Sequence, residues 1–112
     1  MSDIFPGVLA TARMIALMEV AASRVLRPLL AEGELSVGVT VEVSHSAATP
    51  PGATVRAAAR FLRQEGKMYV FEVWAEDGGG EIGRGVHKRA IVSSERLEIG
   101  AARRCSAFCE IT

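Results

Sequence analysis

The hydrophobic period of this chain changes once, and that change limits what it can fold into. Across residues 8–31, Val8, Thr11, Ile15, Met18, Ala22, Val25 and Leu29 recur at helical spacing. The stretch is rich in Ala, Leu, Met and Arg, with Gly7 before it and Gly33 after it, so it predicts one long helix. Arg13, Arg24 and Arg27 fall on the opposite side, toward water. Pro28 is expected to kink the last turn or end the regular helix early. From Ser36 onward the period is two.

Val37, Val39, Val41, Val43 and His45 then alternate with Gly38, Thr40, Glu42 and Ser44, so the two sets are expected on opposite faces of a strand. A second strand is expected over residues 54–63, with Val55, Ala57, Ala59 and Phe61 inward and a hairpin signal at residues 64–67. Residues 68–76 are apolar on both faces around Trp74, as a central, covered strand would be. Asp77-Gly78-Gly79-Gly80 marks the next turn, and a fourth strand is expected from Glu81 to about Val92. One helix followed by antiparallel strands is an α+β domain with the helix on one sheet face. The short connections favour a meander.

A chain of 112 residues makes one domain, and 49% hydrophobic against 23% charged residues makes it globular. Lys+Arg and Asp+Glu both number 13, which leaves no basic surplus for displacing the counterions of a nucleic acid. The same balance weakens electrostatic resistance to self-association. Cys105 and Cys109 form a lone C-x-x-x-C, without the further ligands of a zinc site and without a disulfide framework. The apolar run of residues 8–30 is interrupted by Arg13, Glu19, Arg24 and Arg27, which excludes a membrane span there, and it lacks the unbroken centre of a secretory signal. A cytoplasmic protein is expected. No internal repeat or linker divides the sequence.

Three polar residues stand on or beside the surfaces that the patterns mark for burial. Glu19 falls at the border of the helix stripe, about 75° from its centre. Its neighbours one turn away are Ile15, Ala16, Ala22 and Ser23, small residues for the most part, which leave space beside a carboxylate. Such a glutamate either reaches past the alanines to water or lines a pocket. In a pocket, desolvation would make it a usable base or nucleophile. His45 takes the place of the next buried valine, just before the run Ser46-Ala47-Ala48-Thr49-Pro50-Pro51-Gly52. It is either a hydrogen-bonded rim residue or a site residue. Thr11, on the stripe itself, either bonds its own helix backbone or faces the same space. Together they put a carboxylate, an imidazole and a hydroxyl on the two surfaces that meet when helix packs on sheet.

The segments GVLATARMIALMEVAA, VSHSAATPPG and EIGRGVHKRAIV resemble the hotdog-fold thioesterases, in the branch typified by fluoroacetyl-CoA thioesterase, over roughly residues 5–92. The resemblance implies a hotdog domain over residues 1–96, with one long central helix wrapped by a curved antiparallel sheet, and a tail of unknown structure over 97–112. It implies self-association as a homodimer or tetramer, two sheets joining edge to edge, and hydrolysis of a short acyl-CoA with no metal or organic cofactor, coenzyme A being part of the substrate. The family's catalytic threonine, glutamate and histidine fall on Thr11, Glu19 and His45, the glycine of its acyl pocket on Gly38, and a lid phenylalanine on Phe5. Those residue types suit the chemistry. A carboxylate can attack a thioester carbonyl directly or activate water, and an imidazole can move the proton.

The family pattern also has a strand and lid segment before the helix, whereas this helix starts within about eight residues of Met1. The first strand is therefore expected to be missing, leaving one sheet edge unpaired unless the tail covers it. Arg84, Lys88 and Arg89 are candidates for meeting CoA phosphates as exposed cations. His87, which alternates with Gly83, Gly85 and Ile91, is either packing or a lesser site candidate. The rival in another class is a non-catalytic acyl-CoA-binding module, a truncated relative that binds without turnover. A hydratase would present an Asp–His pair on the helix, and this helix contains neither residue.

Overall fold

The structure, a computed structural model, describes residues 9–104. Helix α1 spans Thr11–Leu26, and Arg27–Leu29 then tighten into a single 3-10 turn with Pro28 inside it. Proline has no N–H to give back to the preceding turn, so the regular helix stops where Pro28 must be accommodated. The helix is accordingly shorter at both ends than its stripe. Met14, Met18, Ala22 and Leu26 are buried along it, while Val25 is 41% and Leu29 63% exposed.

Four antiparallel strands follow: β1 (Glu34–His45), β2 (Arg56–Glu65), β3 (Met68–Asp77) and β4 (Gly80–Ser93). Their order in the sheet is β1-β4-β3-β2. Strands β2, β3 and β4 form the expected meander, joined by tight turns at Gly66 and Gly80, whose φ values of 59° and 121° favour glycine. β1 departs from it and pairs with β4 at the far side. The cause is the connection over residues 46–55, which is too long for a hairpin and instead crosses one end of the sheet. It is tied down on both sides. Ser46 N–H donates to the Ile82 carbonyl at 2.7 Å, and Leu9 N–H donates to the Thr49 carbonyl at 3.1 Å. Buried Thr49 donates its hydroxyl to Asp77 at 2.7 Å, and this bond is the main reason the Asp77 carboxyl lies below its ordinary range. The Thr-Pro-Pro-Gly run thus clamps the start of α1 to the β3–β4 turn.

The core lies between α1 and the inner sheet face. Met14, Met18, Ala22 and Leu26 pack on Phe71, Val73 and Ala75 of β3 and on Ile82 of β4, with Val43, Val55, Ala57 and Ala59 at the margin. Each of the larger side chains contributes about 1.5–3 kcal/mol by leaving water. Phe61, expected inward, is 46% exposed. It pairs with Phe71 and so lies on the inner side, where its ring leans on Tyr69 and Phe71 at the edge of the core. A second helix, α2 (Ser94–Arg104), begins directly after β4 and takes up residues 97–104 of the stretch whose structure the sequence leaves open. None of its residues is buried. Among the described residues no strand precedes α1, and β1 and β2 are the sheet edges. Phe5, Cys105 and Cys109 lie outside the described residues.

Gly83 makes the close packing of α1 possible, because a Cβ there would stand 2.5 Å from Met14 Sδ and 2.8 Å from the Ser44 carbonyl oxygen. Backbone cannot yield as a side chain can, so Gly83→Ala should destabilise the fold by about 1–3 kcal/mol. Chemical denaturation of the two chains would measure the difference.

Candidate functional site

Thr11 is the first residue of α1 and His45 the last of β1, and the crossover at residues 46–55 holds those two ends together. Thr11 Oγ1 and His45 Nδ1 are hydrogen-bonded at 2.9 Å. With Nδ1 engaged, the other ring nitrogen is the one left for chemistry. His45 Nε2 is shielded from solvent and has no hydrogen-bond partner among the described residues.

Glu19 belongs to a second group. It lies eight residues beyond Thr11, about 12 Å further along the helix axis. There it meets the first half of β1. A Cβ on Gly38 would stand 2.8 Å from Glu19 Oε2, 3.0 Å from His87 Cε1 and 3.5 Å from Arg89 Nη1. The missing side chain is what lets a carboxylate, an imidazole and a guanidinium close around one point. Within one chain the Glu19 side chain remains 41% exposed, so the enclosed pocket expected around it is not formed by this chain alone.

Strict alternation puts Gly38 and His45 on opposite faces of β1, yet both face the helix. The register against β4 shifts between Gly38 and Thr40: Gly38 pairs with Arg89 and Thr40 with Lys88, leaving Val39 as an extra residue. This bulge inverts the alternation midway along the strand. Ser36 and Gly38 face α1 before it, Val43 and His45 after it.

Arg89 corrects an expectation. Read from sequence as one of three exposed cations, it is only 6% exposed and is anchored on the inner side. Its Nε donates to Ser36 Oγ at 3.1 Å, its Nη2 to the Ser36 carbonyl at 2.9 Å, and its Nη1 to His87 Nε2 at 3.1 Å. Nη1 also lies 3.8 Å from Glu19 Oε2. Burial pulls the guanidinium below its ordinary value, and the Glu19 charge offsets part of that. His87 is 1% exposed, and its Nδ1 lies 2.8 Å from the Thr40 carbonyl oxygen. A carbonyl can only accept, so Nδ1 carries the proton and Nε2 offers its lone pair to Arg89. Burial, chiefly, holds the His87 pKa below the ordinary value, and the nearby Arg89 charge adds to the shift.

Arg84 and Lys88 point to the outer sheet face, where carboxylates already engage them. Arg84 meets Glu72 and Glu81 and lies 5.3 Å from the centre of the Trp74 ring, and Lys88 meets Glu65 at 2.9 Å. The interior role of Ser36 and Arg89 escaped the sequence reading, because no residue pattern marks the bulge that turns Ser36 inward. Among the described residues, no group of three or more His, Cys, Asp or Glu side chains could hold a metal ion. No described helix is long and apolar enough to cross a membrane.

The fluoroacetyl-CoA-specific thioesterase family FlK matches residues 2–95 of this chain. The chain belongs to that family. It is 45% identical over 93 residues to the fluoroacetyl-CoA thioesterase of Streptantibioticus cattleyicolor, a match covering 83% of this chain and 67% of that protein. A solved structure of FlK superposes with a TM-score of 0.85 at 42% identity, covering 89% of this chain and 74% of FlK. A thioesterase superfamily member from Thermus thermophilus gives 0.86 at 33% identity, covering 92% and 76%. A hot-dog-like protein from Thermanaerovibrio acidaminovorans gives 0.81 at 32% identity, covering 88% and 73%. The fold is therefore the hotdog, one helix held in a curved antiparallel sheet.

Two measurements probe this geometry. Gly38→Ala should fold with a modest loss of stability, since its methyl would meet the movable end of Glu19 at 2.8 Å but also the buried His87 ring at 3.0 Å, and the displaced carboxylate should be visible in a crystal structure of the variant. His87, with its pKa depressed in the fold, contributes stability that is complete above the ordinary imidazole value of 6.5 and lost as pH falls through its folded value. Below pH 6.5, melting temperature should therefore fall more steeply for this chain than for His87→Gln, which has no proton to take up.

Proposed function

We propose that this chain is a thioesterase that hydrolyses a short acyl-CoA to the free acid and coenzyme A, with Thr11, Glu19 and His45 as its catalytic residues. The observation that carries the reading is a half-exposed Glu19 carboxylate over the bare backbone of Gly38, in a chain of the FlK family. An acyl group entering beside Gly38 meets no side chain from β1, and its carbonyl carbon comes within reach of Glu19. The carboxylate either attacks that carbon, expelling coenzyme A thiolate and leaving a mixed anhydride that water opens, or takes a proton from the attacking water. His45, oriented through Nδ1 by Thr11, uses Nε2 for proton transfer to the departing sulfur. Phe5 would help keep water from the acyl pocket. The reading needs no metal or organic cofactor and suits a cytoplasmic protein. No observation favours the rival reading of a binding module without turnover.

The two groups of site residues lie too far apart in one chain to act on one carbonyl. We infer that the site is completed by a second copy. β1 is an unpaired sheet edge with Val39 46% and Val41 36% exposed. Gly38 and His45 are separated by about 20 Å along that edge. If two β1 edges pair antiparallel about a two-fold axis at Glu42, with Val39 passed over as the extra residue of the bulge, Gly38 and Glu19 of one chain come opposite His45 of the partner subunit. Such a dimer closes the exposed edge and covers Glu19 together.

Thiol release from a panel of short acyl-CoA esters tests both statements. Glu19→Gln should remain folded and release no thiol, and turnover at the unchanged rate would overturn the mechanism. Glu19→Gln and His45→Ala should each be inactive alone. Mixed and allowed to exchange subunits, they should regain about a quarter of the original activity, because each mixed dimer holds one intact site. No recovery after demonstrated exchange would place the whole site within one chain.

A further inference from the structure

The buried polar chain behind Glu19 has no part in the chemistry just described, and its hydrogen bonds leave little freedom in how it is built. Thr40 offers a carbonyl oxygen to His87 Nδ1 at 2.8 Å, which can be satisfied only by an N–H on that nitrogen. A neutral ring with its proton there has one lone pair, on Nε2, and Arg89 Nη1 donates to it at 3.1 Å. Ser36 holds the rest of the guanidinium through its hydroxyl and carbonyl. Nη1 carries two hydrogens, so one remains after His87 is served, and this nitrogen is also the one 3.8 Å from Glu19 Oε2.

We propose that His87 is a positioning residue for Glu19: as the Nδ1–H tautomer it holds the Arg89 guanidinium so that one N–H of Nη1 faces the carboxylate across the Gly38 gap. The inference rests on the thioesterase reading for the role of Glu19, but not for the arrangement itself. Burial of both partners is what gives the arrangement its force. Arg89 is 6% and His87 1% exposed, so neither can swing toward water, and the carboxylate is the half-exposed member that the pair orients. A second proton on His87 would replace the lone pair with an N–H aimed at a cation, so the arrangement requires the neutral ring. The bulge matters here as well, since it is what brings Ser36 and Gly38 to the same inner face as His87 and Arg89.

The test compares His87→Gln, whose amide retains one donor and one acceptor, with His87→Leu, which fills space but offers neither. Three readouts are taken: steady-state thiol release, melting temperature, and carbon and nitrogen NMR of Glu19 and the imidazoles. The wild-type His87 ring should show its proton on Nδ1. His87→Leu should lower kcat roughly 10- to 100-fold with KM little changed, as expected when a reacting group is misplaced rather than lost. His87→Gln should recover most of that. The Glu19 carboxyl carbon resonance should move in His87→Leu and stay near its wild-type position in His87→Gln. Unchanged kcat in folded His87→Leu, equal losses in the two variants, or a proton on Nε2 would each overturn the proposal. A wild-type chain that releases no thiol would instead overturn the thioesterase reading, and the tautomer and the Glu19 resonance would still decide this one. If His87→Leu does not fold, the wild-type tautomer and the Glu19 resonance of His87→Gln carry the decision.

Discussion

Everything in this molecule that bears on function depends on how closely α1 can approach the sheet, and two glycines set that distance. Gly83 makes room for Met14 at one end of the helix and Gly38 makes room for Glu19 further along. Where the sheet presents no side chain, the helix can lower its own, apolar in one place and ionised in the other. The apolar contact belongs to the line of Met14, Met18, Ala22 and Leu26 that forms the core. The polar contact is tolerated because Arg89 lies behind it, itself held by His87 and Ser36, so the carboxylate faces a paired cation and not bare hydrocarbon.

The arrangement divides labour along β1. Its first half, before the bulge, carries Ser36 and Gly38 and so the surroundings of Glu19. Its second half ends in His45, which the start of α1 engages through Thr11. The crossover clamp joining the start of α1 to the β3–β4 turn keeps that second contact in place. A single chain thus displays two groups of polar residues along one open sheet edge, Glu19 with Gly38 in its first half and His45 with Thr11 at its end.

Much of the fold was legible in the residues. The helix, four antiparallel strands, two of the three turns and the central place of β3 followed from periodicity and turn residues, because burial on one side of a helix or strand imposes its own spacing. What escaped were events with no periodic signature. The crossover over residues 46–55 has no such mark, since Pro-Pro-Gly signals a turn without saying which strand the chain meets next. α2 was read as tail, because Leu97 and Ile99 remain exposed at 44% and 48% and no apolar face demands a helix there. For the candidate site, the family resemblance points to Thr11, Glu19, His45 and Gly38, while nothing in the sequence distinguishes the buried, anchored Arg89 from the outward-facing Arg84 and Lys88.

The sequence by itself determined which residue types were present to meet: an acid on a helix border among alanines, a histidine ending a strand, and glycines where two layers touch. It also determined the helix end, since Pro28 cannot continue the hydrogen-bond ladder whatever surrounds it. Only the tertiary structure decided which of these residues share a face. One extra residue at the Gly38–Thr40 bulge reverses the side to which every later side chain of β1 points, and nothing local to that stretch announces it. The same pairing of β1 with β4 took Arg89 out of water, because a cation's surroundings are set by the strand beside it and not by its neighbours in the chain.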